Sequence, residues 1–240
     1  MTAAALRSLH VPGQPLVLPN AWDAGTARLV VEAGFPVVAT SSAAVAESLG
    51  YPDHQGAPAE EMFAAVARIT RRVDVPVTVD AESGYGLPAA EFAARLVDTG
   101  AVGCNLEDTD HAGGGLVPVD RQVAYLAAVR AAAPDLVINA RVDVFLRAED
   151  QQSVFDEGVE RARAYVAAGA DCVYPILVRS PDLLRSFADA VGAPVNAALL
   201  PGMTIADLAS AGVARISLAA GLWRLTQGAL REKLAELRQG

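Results

Sequence analysis

Short apolar runs alternate with longer alanine-rich stretches along the whole chain. Strand-like runs fall at residues 16–19, 36–40, 75–79, 103–106, 136–140, 172–174, 194–196 and 214–218. The stretches between them, such as 89–98, 120–133 and 154–168, place their apolar residues at helical spacing, as Phe92, Leu96 and Val97 do. Several of these helices run into a glycine suited to a C-cap. The phrase Glu32-Ala33-Gly34-Phe35 returns as Thr99-Gly100-Ala101, Ala168-Gly169-Ala170 and Ala211-Gly212-Val213, each time just before a strand.

Eight such units in 240 residues predict an α/β fold, a single (β/α)8 TIM barrel over 1–240. The alternative is a doubly wound open sheet, which alternates in the same way but gathers its ligand at one switch point. Here polar residues end nearly every strand: Asn20, Ser41 and Ser42, Asp80, Glu107, Arg141, Tyr174, Asn196 and Ser217. A ring of polar groups at all the strand ends is what a barrel mouth requires. One connection is long, at about 43–57. Residues 43–49 suit a short helix, and Gly50, Pro52 and Gly56 suit a mobile gating loop.

Composition narrows the function. Hydrophobic residues make up 52% and aromatics 5%, so small side chains must fill most of the core. No apolar run reaches the roughly 18 residues of a membrane span, and Met1 to Arg7 lack the apolar stretch of a secretory signal. A net charge of -9 argues against nucleic acid, which needs a basic face. Cys104 and Cys172 lie inside predicted strands without CxxC or zinc spacing, and are expected to be buried thiols. The expectation is a cytoplasmic protein with neither membrane nor nucleic acid as partner.

Two acidic clusters carry the chemistry. Val77-Thr78-Val79 ends in Asp80-Ala81-Glu82, and Val102 to Leu106 ends in Glu107-Asp108. Carboxylates crowded at one end of neighbouring parallel strands repel each other unless a cation lies between them. A hard divalent ion such as Mg²⁺ takes carboxylate and water oxygens. Asp80, Glu82 and Glu107 are therefore candidate contacts to metal or substrate, while Asp108 could equally pair with an arginine or cap a turn. Arg141 could grip a substrate carboxylate or phosphonate at two points, or neutralise Glu107, or both. Asp143 suits a supporting or capping role. Ser41 and Ser42 could bind an anion through hydroxyl and N–H groups or form an ordinary turn. Asp53 lies in the gating loop. His54 and His111 lie near enough to the predicted mouth to carry protons. Gly113-Gly114-Gly115 lacks the spacing of a dinucleotide fingerprint.

Together these residues resemble the isocitrate lyase and phosphoenolpyruvate mutase superfamily over nearly the whole chain. Asp80-Ala81-Glu82-Ser83-Gly84-Tyr85-Gly86 is similar to its D-x-D-T-G-Y-G motif, with Glu in place of the second Asp. Leu106-Glu107-Asp108 is similar to its fourth-strand motif, and Leu49-Gly50-Tyr51-Pro52-Asp53 to its gating loop. The resemblance implies that Asp80 binds Mg²⁺ (or Mn²⁺) directly and that Glu82 and Glu107 hold its water ligands. It implies that Ser41, Ser42 and Ala43 receive the substrate carboxylate, that Arg141 clamps it, and that Asp53 acts from the closed loop. It also implies a homodimer or homotetramer, with C-terminal helices exchanged between subunits in many members; here Leu222, Leu225, Leu230, Leu234 and Leu237 form an amphipathic final helix that could pack on its own barrel or on a partner's.

One departure is informative. Lyases of this family carry K-[KR]-C-G-H after the fourth strand, whereas this chain has Thr109-Asp110-His111-Ala112-Gly113-Gly114-Gly115-Leu116, without a cysteine. Conventional isocitrate lyase activity is not expected. The expectation is Mg²⁺-dependent C–C cleavage, by a lyase or decarboxylase, of a small 2-oxo or 2-hydroxy carboxylate through an enolate-like intermediate. The alternatives are a P–C mutase or hydrolase acting on phosphonopyruvate-like substrates, and a barrel that binds a 2-oxo acid without turning it over.

Overall fold

The computed structural model describes residues 2–239. Its strands form a closed parallel barrel, and the expected strand positions are all occupied. The first position is interrupted at Pro19, which has no N–H to give to a ladder. Below it, β1 (Leu16–Leu18) pairs with β9 (Arg215–Ser217); above it, β2 (Asn20–Ala21) pairs with β3 (Val38–Thr40). The ring continues through β4 (Val77–Asp80), β5 (Gly103–Glu107), β6 (Val137–Val142) and β7 (Cys172–Pro175). A bridge from Val173 to Val195 leads to β8 (Asn196–Ala198), which pairs with β9 and closes the circle. One proline thus lets a single strand position serve both neighbours with a change of register.

Around the barrel lie α2 (Ala24–Glu32), α3 (Ser42–Leu49), α4 (Ala59–Thr70), α5 (Ala89–Asp98), α6 (Val119–Ala132), α7 (Val144–Arg147), α8 (Phe155–Ala167), α9 (Pro181–Val191) and α10 (Ile205–Ser210). Their inner faces bury Ile69, Phe92, Leu96, Leu126, Tyr165 and Phe187 against the outward residues of the strands, including Val79, Leu106 and Ile138. The expected helix at 43–49 is α3; the irregular part of the gating segment begins at Gly50.

The far end of the barrel is plugged by α1 (Ala3–Ser8), which the hydrophobic pattern did not announce. Its Leu6 packs with Leu16, Leu18, Val37, Ala39 and Val137. A Cβ at Gly103 would come within 2.8 Å of Leu6 Cδ2 and 3.0 Å of the Val137 carbonyl oxygen, so the plug requires glycine there. Asp171 clips it in place, accepting from Arg7 Nε at 2.6 Å and from Arg130 Nη2 at 2.6 Å.

Two expectations resolve. Asp108 takes the structural option: it is fully buried and accepts from the Asp143 N–H (2.8 Å), the Tyr165 hydroxyl (2.6 Å) and Arg161 Nη1 (3.1 Å). The amphipathic C-terminal helix, α11 (Gly221–Gln239), does not bury its apolar stripe on its own barrel. Leu225, Leu230, Leu234 and Leu237 are exposed, and only its start is anchored, through an edge-to-face contact of Trp223 with Trp22 at 5.1 Å. Among the described residues no helix is long and apolar enough to cross a membrane.

The Asp108–Arg161 pair generates a stability prediction. Arg161→Met leaves the Asp108 carboxylate buried without its cation and should cost about 3 kcal/mol, the usual scale for breaking a buried pair from one side. Adding Asp108→Asn should recover part of that loss. Urea unfolding of the three proteins measures both effects.

Candidate active site

The site is built at the carboxyl ends of β3 to β6. Asp80 is the last residue of β4, and its N–H donates to Thr40 Oγ1 (3.0 Å) at the end of β3. Its Oδ2 accepts from the Ser42 N–H (3.2 Å) and the Ser42 hydroxyl (2.8 Å). Ser42 is able to do this because Ser41 caps α3, its hydroxyl oxygen accepting from the Ala44 N–H at 3.4 Å. The first turn of α3, with Ala43 half-buried in it, therefore faces Asp80. Asp80 Oδ1 is buried and has no hydrogen-bond partner among the described residues.

After Asp80 the chain folds back sharply. Glu82 has φ 50° and Tyr85 φ 57°, left-handed values that cost a side-chain-bearing residue of order 1–3 kcal/mol. Gly84 between them has φ 89°, and a Cβ there would overlap the Tyr125 hydroxyl, so both backbone and space demand glycine. The turn returns the Glu82 carboxylate to the mouth, where it is buried.

Glu107 ends β5 and stands in register with Arg141 on β6. Its Oε2 contacts Arg141 Nη2 and its Oε1 contacts His111 Nε2. Arg141 also donates to Asp143 through Nε (2.7 Å) and Nη2 (2.6 Å), while Asp143 accepts from the Thr109 hydroxyl at 2.5 Å. Arg141 thus neutralises Glu107 as one of the two expected readings had it. Its Nη1 has no acceptor among the described residues.

The segment after Gly50 lies across this arrangement. The Gln55 N–H donates to Glu82 Oε2, and its side-chain amide donates to the Ser83 hydroxyl. His54 and Gln55 both take left-handed φ, of 65° and 60°, and the His54 ring sits 5.7 Å from that of His111. Asp53 is half-buried in this turn. A groove lined by Gln55, Ser83, His111 and Tyr125 opens beside the mouth. Gln55 is a site residue that sequence reasoning missed, since a lone amide in a loop carries no periodicity or charge signal. His111 was legible only as one of two possible proton carriers, with His54; its contact with Glu107 now distinguishes it.

Electrostatics follow from this crowding. Burial pushes the Glu82 carboxyl up to about 8, with Asp80 adding to the effect, the Gln55 N–H opposing it, and Glu107 and Asp53 contributing further. Burial also raises Glu107, although Arg141 and His111 oppose the shift. The bond to Glu107 raises the His111 pKa against the effect of burial. Burial disfavours the Arg141 cation, yet Asp143 and Glu107 hold its pKa well above the ordinary value.

These residues fit a Mg²⁺ ion. Among the described residues no three His, Cys, Asp or Glu side chains form an all-protein cage. Mg²⁺ does not need one, because it keeps most of its waters and takes one or two carboxylates. The unpartnered Asp80 Oδ1 offers one direct ligand, and Glu82 and Glu107 stand where carboxylates could hold ligand waters.

A family model described as phosphoenolpyruvate phosphomutase matches residues 6–238. The 2-methylisocitrate lyase of Escherichia coli (strain K12) is 33% identical over 235 residues, covering 86% of this chain and 78% of that one. A crystal structure from Burkholderia cenocepacia J2315, provisionally described as a phosphonomutase, superposes with a TM-score of 0.93 at 43% identity, covering 100% of this chain and 99% of the other. Phosphonopyruvate hydrolase in complex with oxalate and Mg²⁺ superposes with a TM-score of 0.89 at 25% identity, over 100% and 88% of the two chains.

Glu82 makes the ligand-free protein pH-sensitive. Its pKa rises from 4.5 to about 8 on folding, so within that window the folded chain keeps a proton that the unfolded chain has lost. Its contribution to stability is fully present below the window and is lost as pH rises through it, by up to about 1.4 kcal/mol per pH unit. Thermal melts in a chelator between these limits should show a falling Tm, and Glu82→Gln should flatten the slope. A slope that survives the substitution would assign the proton elsewhere.

Proposed function

Because the chain belongs to the phosphoenolpyruvate phosphomutase family, we propose that the acidic mouth is the active site of a Mg²⁺-dependent enzyme acting on a small 2-oxo or 2-hydroxy carboxylate. The reaction is cleavage of a C–C bond either beside the 2-oxo carbon or one carbon removed from it, with dicarboxylates of the oxaloacetate type as the substrate class. The observation that carries this reading is the buried, unpartnered Asp80 Oδ1 beside Glu82, whose carboxyl burial and the neighbouring Asp80 push up.

In this reading Asp80 binds the ion, and Glu82 and Glu107 hold its water ligands. A bound Mg²⁺ supplies Lewis acidity toward the 2-oxo group and one carboxylate, steadying the negative charge that develops as the bond breaks. Ser41, Ser42 and Ala43 at the first turn of α3 receive the substrate carboxylate, where N–H groups favour an anion. Arg141 clamps the substrate through its free Nη1, held in orientation by Asp143 and Glu107. Segment 50–57 is a gating loop that excludes water and brings Asp53 to the substrate. His111, bonded to Glu107 at the rim, is the proton carrier.

No thiol takes part. Cys104 and Cys172 are buried in strands, and burial pushes both up to about 12. Acid/base work by a cysteine, which the lyase motif provides, has no counterpart here, and this supports a reaction other than conventional isocitrate cleavage. P–C chemistry is the second reading, favoured by the likeness to the Burkholderia structure. A panel of oxaloacetate, 2-methylisocitrate and phosphonopyruvate, each with Mg²⁺, separates the readings. Pyruvate with CO₂, or acetate with oxalate, from oxaloacetate supports C–C cleavage; phosphate from phosphonopyruvate supports P–C chemistry. Tight binding without turnover of any of the three would leave a binding barrel.

The exposed leucine stripe of α11 supports a further part of the reading, a homodimer or homotetramer that covers it. Light scattering should give a multiple of the chain mass, and Leu230→Glu with Leu234→Glu should reduce it.

Two substitutions test the residue roles. Arg141→Lys keeps the charge but not the planar fork, and should weaken oxalate binding in the presence of Mg²⁺ by about 1–3 kcal/mol. Asp53→Ala should lower kcat far more than it weakens binding, because its contacts are made chiefly in the transition state. Calorimetry and steady-state kinetics report the two; unchanged values would reduce Arg141 to a counter-ion and Asp53 to loop surface.

A further inference from the structure

Two guanidinium groups face the bore of the barrel. Arg141 stands in the mouth and is engaged by Asp143 and Glu107. Arg215, on β9, lies lower and is 2% exposed. Its Nη2 reaches across the bore to Asn105 Oδ1 at 3.1 Å. Its Nε and Nη1 have no partner, and no carboxylate pairs with it among the described residues. The amides around it are equally underused. Asn196, its register partner on β8, is fully buried with both side-chain atoms unpartnered. Asn139 donates to the same Asn105 oxygen at 2.8 Å and leaves its own oxygen unpartnered.

A buried cation without a counter-charge is costly, and an apolar side chain of similar length would serve packing better. Its position suggests what it does instead. Asn105, which holds the guanidinium, is the register partner of Asp80 and sits two residues below Glu107 on β5. Asn139 sits two residues below Arg141 on β6. With a period of two along each strand, this polar layer lies directly beneath Glu107 and Arg141.

We propose that Arg215 is a positioning residue for the anionic substrate, a fixed positive floor that Asn105 holds under the mouth. In the water-poor bore its charge is screened little, so it acts on whatever occupies the strand ends. It opposes a divalent cation and attracts an anion, and so favours a carboxylate seated low over the strand ends. The inference rests on the proposed function, since it requires a carboxylate ligand in the mouth.

Arg215→Met removes the charge, and Arg215→Gln removes it while keeping a donor for Asn105. Calorimetry with Mn²⁺ alone, and with oxalate at saturating Mn²⁺, should show opposite shifts. Mn²⁺ should bind about threefold more tightly in both variants and oxalate about tenfold more weakly, the range expected of one unit charge at short range in a poorly solvated site. The Tm of Arg215→Met should equal or exceed that of the wild type, and Arg215→Lys should recover much of the oxalate affinity. A packing defect would weaken both ligands together and lower the Tm, and that result overturns the proposal, as does unchanged oxalate affinity in both variants. Wild-type protein that binds neither Mn²⁺ nor oxalate would overturn the proposed function and this inference with it.

Discussion

Like charges confined at the end of a narrow barrel set the terms for everything around them. Asp80, Glu82 and Glu107 project into a space from which much of the water is excluded, and burial together with the neighbouring Asp80 makes both glutamates harder to ionise. The structure manages this repulsion with fixed donors. Ser42 gives two bonds to Asp80, Gln55 gives its N–H to Glu82, and Arg141 with His111 brackets Glu107. What these donors leave open is one oxygen of Asp80 and one nitrogen of Arg141. In the proposed reading, an acidic pocket held in this way takes a cation at one edge and an anion at the other.

The scaffold gives up local comfort to hold that arrangement. Left-handed backbone at Glu82 and Tyr85 is strained, and it persists because Gly84 lets Tyr125 pack against the turn. Asp108, immediately after Glu107, anchors the opposite side by accepting the Asp143 N–H, and so fixes the residue that in turn orients Arg141. Carboxylates adjacent in sequence thus divide the work. Glu107 faces the bore and its neighbour Asp108 faces the helices, as the alternation of a strand dictates.

Most of the barrel was legible because its strands are short apolar runs closed by polar or glycine residues, a pattern that burial on both faces of a parallel strand produces. Asp80, Glu107 and Arg141 were legible because each ends an apolar run on the face that alternation turns toward the bore, and Glu82 because it follows Asp80 by two residues. The plug α1 was not, because three alanines and one deeply buried leucine make no amphipathic stripe. Gln55 was not, because its partners come from another loop. Arg215 left a faint trace: Ala214-Arg215-Ile216-Ser217-Leu218 alternates, placing Arg215 on the same face as Ser217. The stripe of α11 was readable as amphipathic, but amphipathicity does not say which chain covers it.

The plug also bears on how the chain reaches its fold. Leu6 needs Val137 beneath it, Arg7 needs Asp171 across a separation of 164 residues, and β1 finds its ladder partner in β9. Residues 6–18 can therefore find their place only after residues 137, 171 and 215–217 have been made. Such non-local closure slows folding and leaves β1 as an open edge until β9 is available. Pairing of that edge with β9 of a second nascent chain is the misassembly this topology most invites, and Pro19, unable to extend a ladder, limits how far such a pairing could run.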